Sequence, residues 1–329
     1  MLTLEALEEE LSRPAPEDIA LMESLDGDLM VLGAAGKMGP SLVRRARRAA
    51  NEAGVNRRMF AISRAVREQI DGVEAIACDL MDREQLARLP DCANVIFLAG
   101  RKFGSTDNQA LTWASNVLVP ALVAERFRNS RIVALSSGNV YPLAPAPCSE
   151  ETPPGPVGEY AQSVLGRERM FEYFSHRYGT PVALIRLNYA IDLRYGVLLD
   201  IGERVRHQRP VPLAMACVNV IWQGDANSYC LRALALASSP PRVLNVTGGE
   251  TLSVRSIAER FGALFGIAPI FDGTEAPTAL LSDSTLCRRL LGPPGVSSER
   301  MIEMTAEWIR AGRPTLNKPT HFEVRDGAF

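Results

Sequence analysis

Histidine is scarce in this chain of 329 residues, and the three present, His176, His207 and His321, have no ligand-like spacing. The six cysteines, Cys78, Cys92, Cys148, Cys217, Cys230 and Cys287, contain no Cys-x-x-Cys pair. A thiolate or imidazole metal centre needs clustered ligands, so none is expected; thiols scattered this way read as buried and reduced, as in a cytoplasm. No uncharged apolar run reaches the roughly 18 residues of a membrane span. The first residues lack the basic and apolar regions of a secretory signal. An excess of one charge is also missing. With 36 basic and 38 acidic residues, the formal charge of −2 offers no field for nucleic acid or an anionic membrane. What these absences lead one to expect is a cytoplasmic globular protein.

The 47% of apolar and 22% of charged residues suit a packed enzyme-like core, and the length is about two domains' worth. The first 28 residues are acidic (Glu8, Glu9, Glu10, Glu17, Asp18, Asp26, Asp28) and read as two short helices around Pro14-Ala15-Pro16, a solvated packing arm. From Asp28 onward, strand-like and helix-like segments alternate. Strands are predicted at 28–32, 57–62, 72–78, 94–98, 131–136 and 181–187. Helices are predicted at 40–53, 83–89, 112–127 and 160–178. Such βαβα alternation predicts a doubly wound α/β (Rossmann) parallel sheet with helices on both faces. The predicted organisation is an arm at 1–28 and a dinucleotide-binding domain at 29–190, to which 215–247 returns. Segments 191–214 and 248–329 form a smaller C-terminal substrate lobe.

The most informative stretch is Val31-Leu32-Gly33-Ala34-Ala35-Gly36-Lys37-Met38-Gly39, where an apolar strand meets a glycine-rich turn that opens a helix at Pro40. Glycines here let backbone N–H groups approach a pyrophosphate, and the helix N-terminus adds partial positive charge.

Further landmarks follow in order: Asp79-Leu80, Ala99-Gly100, Asn116-Val117, Ser136-Ser137-Gly138-Asn139-Val140-Tyr141, Tyr160, Arg186, Asp225-Ala226 and Leu244-Asn245-Val246-Thr247-Gly248. Together with the glycine turn they resemble the extended short-chain dehydrogenase/reductase superfamily, the NAD-dependent epimerase/dehydratase group, over roughly residues 29–310. The resemblance implies that Gly33, Gly36, Lys37, Met38 and Gly39 hold the diphosphate. Asp79 accepts from the adenine amino group, Leu80 packs on the ring, and Ala99, Gly100 and Asn116 border the ribose. It implies that Ser137 binds the reacting carbonyl or hydroxyl while Tyr160 exchanges a proton with the same oxygen. It also implies a homodimer joined through the helices at 112–127 and 160–178.

After the second strand, members that prefer NAD carry an acidic residue for the ribose hydroxyls. Ser63 and Arg64 stand there instead, a pair suited to a 2′-phosphate, so NADP is preferred and NAD remains possible.

The chain departs from the family pattern at one catalytic position. A Lys is expected four residues after the Tyr, and Val164 is found. An unaided phenol titrates near 10, so forming tyrosinate at pH 7 costs about 4 kcal/mol. Three readings stay open. Lys102, just past the fourth strand, replaces the missing cation; or Tyr160 acts only as a proton donor in the reductive direction; or the protein is a catalytically weak NAD(P)-binding sensor or partner. Two other departures bear on the substrate. Gly138 and Asn139 replace the Asp-Glu pair of sugar dehydratases, which disfavours dehydration. Asn188 stands one place early for a nucleotide-sugar site, and the family glycine is missing. Asn139, Asn188, Tyr189, Arg194, Tyr195 and Trp222 are therefore expected to line a pocket for a smaller, carbohydrate-like substrate. The predicted activity is that of an oxidoreductase or epimerase at a secondary alcohol or ketone.

Overall fold

A computed structural model gives the fold and describes residues 3–66, 68–102 and 104–328. Seven strands form one sheet: β1 (Leu29–Leu32), β2 (Met59–Ser63), β3 (Glu74–Ala77), β4 (Asn94–Phe97), β5 (Arg131–Ser137), β6 (Val182–Leu187) and β7 (Arg242–Val246). All neighbours are parallel, in the order β7-β6-β5-β4-β1-β2-β3. A parallel sheet needs both faces covered, which is why β1 and β4 are buried at every position. Helix Gly39–Glu52 lays Leu42, Ala46, Ala49 and Ala50 on one face, whereas Leu86, Val123, Phe127 and Phe171 cover the other. A third core, including Leu198, Phe261 and Trp308, belongs to the lobe. The chain reverses direction across the sheet between β1 and β4, and a crevice opens at such a switch point beyond the carboxyl ends of the strands.

Three elements differ from expectation. The acidic arm is docked on its inner side. Helices Leu4–Ser12 and Pro16–Ser24 bury Leu7, Leu11, Leu21 and Met22, and fully buried Asp18 pairs with Arg45 at 2.6 Å and accepts from Ser228 at 2.6 Å. Acidic composition alone conceals this, because the burying residues are few. The helix expected at 112–127 begins at Gln109 and contains a π turn over Ala114–Leu118 before continuing as Val119–Arg126. Pro120 has no N–H to donate, and the amide of Val119 reaches back to Ala114 instead. Of the segment 215–247, only β7 enters the sheet. Helix Gln223–Arg232 lies over it, and Cys217–Val218 and Ile221–Trp222 pair with short partners elsewhere.

Candidate active site

A cleft of about 740 Å³ lies along the carboxyl ends of the strands. Its floor begins at the glycine turn. Gly33 adopts φ +87°, and a Cβ there would stand 2.7 Å from the backbone N of Ala99. A Cβ on Gly39 would stand 2.1 Å from the carbonyl oxygen of Ala34, so only glycine lets this helix start so close to the turn. No side chain caps helix Gly39–Glu52, and its first amides lie at the part of the cleft lined by Gly36, Lys37 and Met38. An uncapped helix start behind a glycine-rich turn fits a diphosphate, so these residues suit a dinucleotide.

At the other end stands Tyr160, in the first turn of helix Gly158–Tyr178, hydrogen-bonded to Ser137 at the end of β5. The Ser137 hydroxyl donates to Oδ1 of Asn139 at 2.9 Å, which fixes its orientation. Burial pushes the Tyr160 phenol above its ordinary pKa; the charge of Arg167 and the bond to Ser137 oppose that rise. Val164 is fully buried among Val140, Tyr141 and Cys148, an apolar setting with no place for an ammonium. Lys102 lies nearby, its Nζ 5.9 Å from the centre of the Tyr160 ring and donating to the carbonyl of Thr320 at 3.3 Å. Burial pulls Lys102 down to about 8, against the attraction of Asp200.

Sequence reasoning missed one signal. The 36 basic residues include just three lysines, Lys37, Lys102 and Lys318, and all three line this cleft. Lys37 donates to the carbonyl of Ala190 at 2.7 Å and sits 4.4 Å above the Tyr195 ring. Burial pulls it down to about 8 as well, with Asp192 opposing and Arg194 and Lys102 reinforcing the shift. Tyr189 borders the same space with an unusual φ of +42°, beside Asn188. Arg194 is held by Asp192 at 2.7 Å and by Glu8 of the N-terminal arm at 2.6 Å; Glu8 also takes Arg44 at 2.7 Å. The arm thus closes one rim of the cleft. The C-terminal segment closes another. Thr320 donates its backbone amide to Asp200 at 2.8 Å, and Leu316 donates to the carbonyl of Arg194 at 2.9 Å.

The cleft therefore gathers Gly36, Lys37, Met38, Gly39, Gly100, Lys102, Ser137, Asn139, Tyr160, Asn188, Tyr189, Arg194 and Tyr195. Gly33, Ala99 and Asn116 support it from behind. Asn116 sits in the π turn, fully buried, and spends its amide on Arg101, Ser163 and Arg167. Ser63, Arg64, Asp79 and Leu80 stand beyond the cleft at the ends of β2 and β3. Ser63 donates to the carbonyl of Ala65 at 2.8 Å, and Asp79 accepts from the amide of Met81 at 3.0 Å. Trp222 corrects the expectation placed on it. It is 3% exposed within the lobe core and pairs in a short strand with Ile191, so it is a packing residue and does not line the cleft.

The doubly wound sheet, the glycine turn and the Tyr–Ser pair make a Rossmann-type protein that resembles the extended short-chain dehydrogenase/reductase class. Residues 29–190 match the family model described as the NAD dependent epimerase/dehydratase family. The fold is similar to that of epimerase Mth375 from Methanothermobacter thermautotrophicus, 22% identical, TM-score 0.73, covering 90% of this chain and 96% of that one. It is also similar to DesIV, a dTDP-glucose 4,6-dehydratase from Streptomyces venezuelae with NAD and TYD bound, 19% identical, TM-score 0.73, covering 86% and 97%. The UDP-glucose 4-epimerase of Thermus thermophilus in complex with NAD is 20% identical, TM-score 0.70, covering 86% and 99%. No curated protein sequence matches. Among the described residues, no helix is long and apolar enough to cross a membrane.

Proposed function

We propose that this protein is a cytoplasmic NAD(P)-dependent oxidoreductase or epimerase acting on a secondary alcohol or ketone of a small, carbohydrate-like substrate. The observation that carries the reading is the Tyr160–Ser137–Asn139 chain at the far end of a cleft that begins at the glycine turn. The nicotinamide coenzyme supplies hydride exchange when bound. Ser137, oriented by Asn139, holds the substrate oxygen; Tyr160 gives a proton to that oxygen in reduction and takes one in oxidation. Lys102 borders the substrate side of the phenol. Neither Gly138 nor Asn139 can serve as acid or base, so the proposal excludes loss of water. Asn188, Tyr189, Arg194 and Tyr195 bound the substrate space. Closure of that space by Leu316 and Thr320 favours a small molecule over a nucleotide-linked sugar.

Ser63 and Arg64 favour NADP over NAD, although two of the related folds named above were solved with NAD. The apolar residues left exposed on the helices at 109–126 and 158–178, among them Trp113, Leu118 and Tyr173, favour a homodimer joined through that face. A second reading, a coenzyme-binding sensor without turnover, is favoured by Val164 alone. Replacing Tyr160 with Phe separates the two. The expected result is loss of turnover with coenzyme affinity nearly unchanged. Turnover that survives in Tyr160→Phe removes the phenol from the mechanism, whereas tight coenzyme binding with no turnover of any sugar, polyol or sugar acid in the wild type supports the sensor.

A further inference from the structure

Val164 leaves the family's catalytic phenol without its usual ammonium, yet a cation reaches the same neighbourhood from a position that no family pattern assigns. We infer that Arg167, anchored between Asn116 and Gly100, is the positioning residue that supplies the missing positive charge to Tyr160. The inference rests on the reading that Tyr160 handles the substrate proton.

The geometry is specific. Arg167 follows Tyr160 by seven residues, two turns, on the helix that begins at Gly158, and its guanidinium lies against Leu135 and Gly100, which line the same cleft as Tyr160. Its Nη1 donates to the carbonyl of Leu135 at 2.7 Å and its Nη2 to Oδ1 of Asn116 at 2.8 Å. A Cβ on Gly100 would stand 2.3 Å from Nη2, so the glycine that follows β4 also makes room for this guanidinium. Asn116 is built to receive it. In the π turn the Asn116 carboxamide also accepts from the Arg101 amide at 2.8 Å and donates to the Arg101 carbonyl and to Ser163, at 2.8 and 2.9 Å. π turns recur at functional sites because they redirect one side chain. Arg167 is 6% exposed, and its Nε is buried with no hydrogen-bond partner. Burial pulls the Arg167 guanidinium below its ordinary value, against the attraction of Tyr160 and Glu168, but an arginine keeps its charge in a protein, and that charge favours the ionised phenol against the effect of burial. Lys102 differs, because its ammonium sits over the Tyr160 ring and bonds to Thr320.

The test follows Tyr160 itself. The full-length protein is prepared with tyrosine labelled at the ring carbon bearing the hydroxyl, and the Tyr160 signal is assigned by its loss in Tyr160→Phe. Its pH titration is read by NMR without coenzyme in wild type, Arg167→Met and Arg167→Lys. The alkaline or acid limb of the turnover profile governed by the phenol is read in parallel. Arg167→Met is expected to raise the pKa of Tyr160 by a unit or more, roughly a tenfold drop in tyrosinate fraction, and to move the kinetic limb equally. Arg167→Lys, which keeps the charge but not the fork, is expected to shift both by less. If Arg167→Met does not fold, the smaller displacement in Arg167→Lys carries the same test. A Tyr160 titration that stays in place in a folded Arg167 variant overturns the inference, as does a shift produced instead by Lys102→Met alone. Because the NMR titration needs no coenzyme, a displaced phenol in a protein that binds neither coenzyme would sink the proposed activity and leave this inference standing.

Discussion

Arg167 and Asn116 meet at 2.8 Å, guanidinium Nη2 to carboxamide oxygen, on the buried side of the cleft that holds Tyr160. The pairing joins the helix that carries the phenol to the π turn in the helix beside it. It ties the setting of Tyr160 to the packing of two helices that leave Trp113, Leu118 and Tyr173 exposed.

The next residue along the helix after Arg167 belongs to a buried ion pair. Glu168 is fully buried and takes Arg186 of β6 in a two-bond fork at 2.7 and 3.0 Å, while Ser136 donates to the same carboxylate. Removing one partner strands the other charge in the core. Glu168→Ala is expected to cost about 3–5 kcal/mol in urea unfolding. A loss below about 1 kcal/mol, the range of a solvated pair, would show that Arg186 finds water or another partner.

Stability should also depend on pH through the cleft lysines. Burial pulls Lys37 and Lys102 down to about 8 in the folded protein, whereas an unfolded lysine titrates near 10.4. Between those values the unfolded chain binds more protons than the native one, so stability rises with pH over that window. Below pH 8 both states are protonated and the contribution is flat. The urea midpoint of wild type, compared with Lys37→Met/Lys102→Met at pH 8 and pH 10, is expected to gain more on going to the higher pH. Parallel behaviour of the two proteins would place both amines in solvent-like surroundings.

Coenzyme choice is expected to hinge on Arg64. Removing one charge-assisted bond to a 2′-phosphate is worth roughly 1.5–3 kcal/mol, so Arg64→Ala should weaken NADP binding about tenfold or more and leave NAD binding little changed. Equal losses for both coenzymes in a calorimetric titration would assign Arg64 to general electrostatics.

Much of this architecture was legible in the chain. Apolar four-residue runs such as Leu29–Leu32 and Asn94–Phe97 marked the buried strands, and the glycine spacing marked the turn beneath the cleft. Ser137 and Tyr160 stand out as candidates by their order along the sequence, and the structure has them in hydrogen-bond contact. Other features depend on distance across the fold. Glu8 reaches Arg44 and Arg194 only because the arm docks through Leu7 and Leu11, two apolar residues hidden in an acidic segment. Trp222 is expected from the sequence to line the pocket, but its side chain packs in the lobe core. Arg167 escaped notice because its role comes from a long side chain that meets Asn116 and Leu135 across the fold, which residue spacing does not encode. The lysines were within reach of counting: three in the whole chain, at positions far apart, all turned into one cleft.

The central claim is that a dinucleotide rests on the amides around Gly36. Isothermal titration of the purified full-length protein with NADP(H) and with NAD(H) tests it most directly. The account predicts saturable one-to-one binding, tighter for the 2′-phosphorylated coenzyme, that collapses when Gly36 is replaced by a bulky residue such as Glu in a variant shown to fold. Absence of heat and of any shift in unfolding temperature with both coenzymes would contradict it.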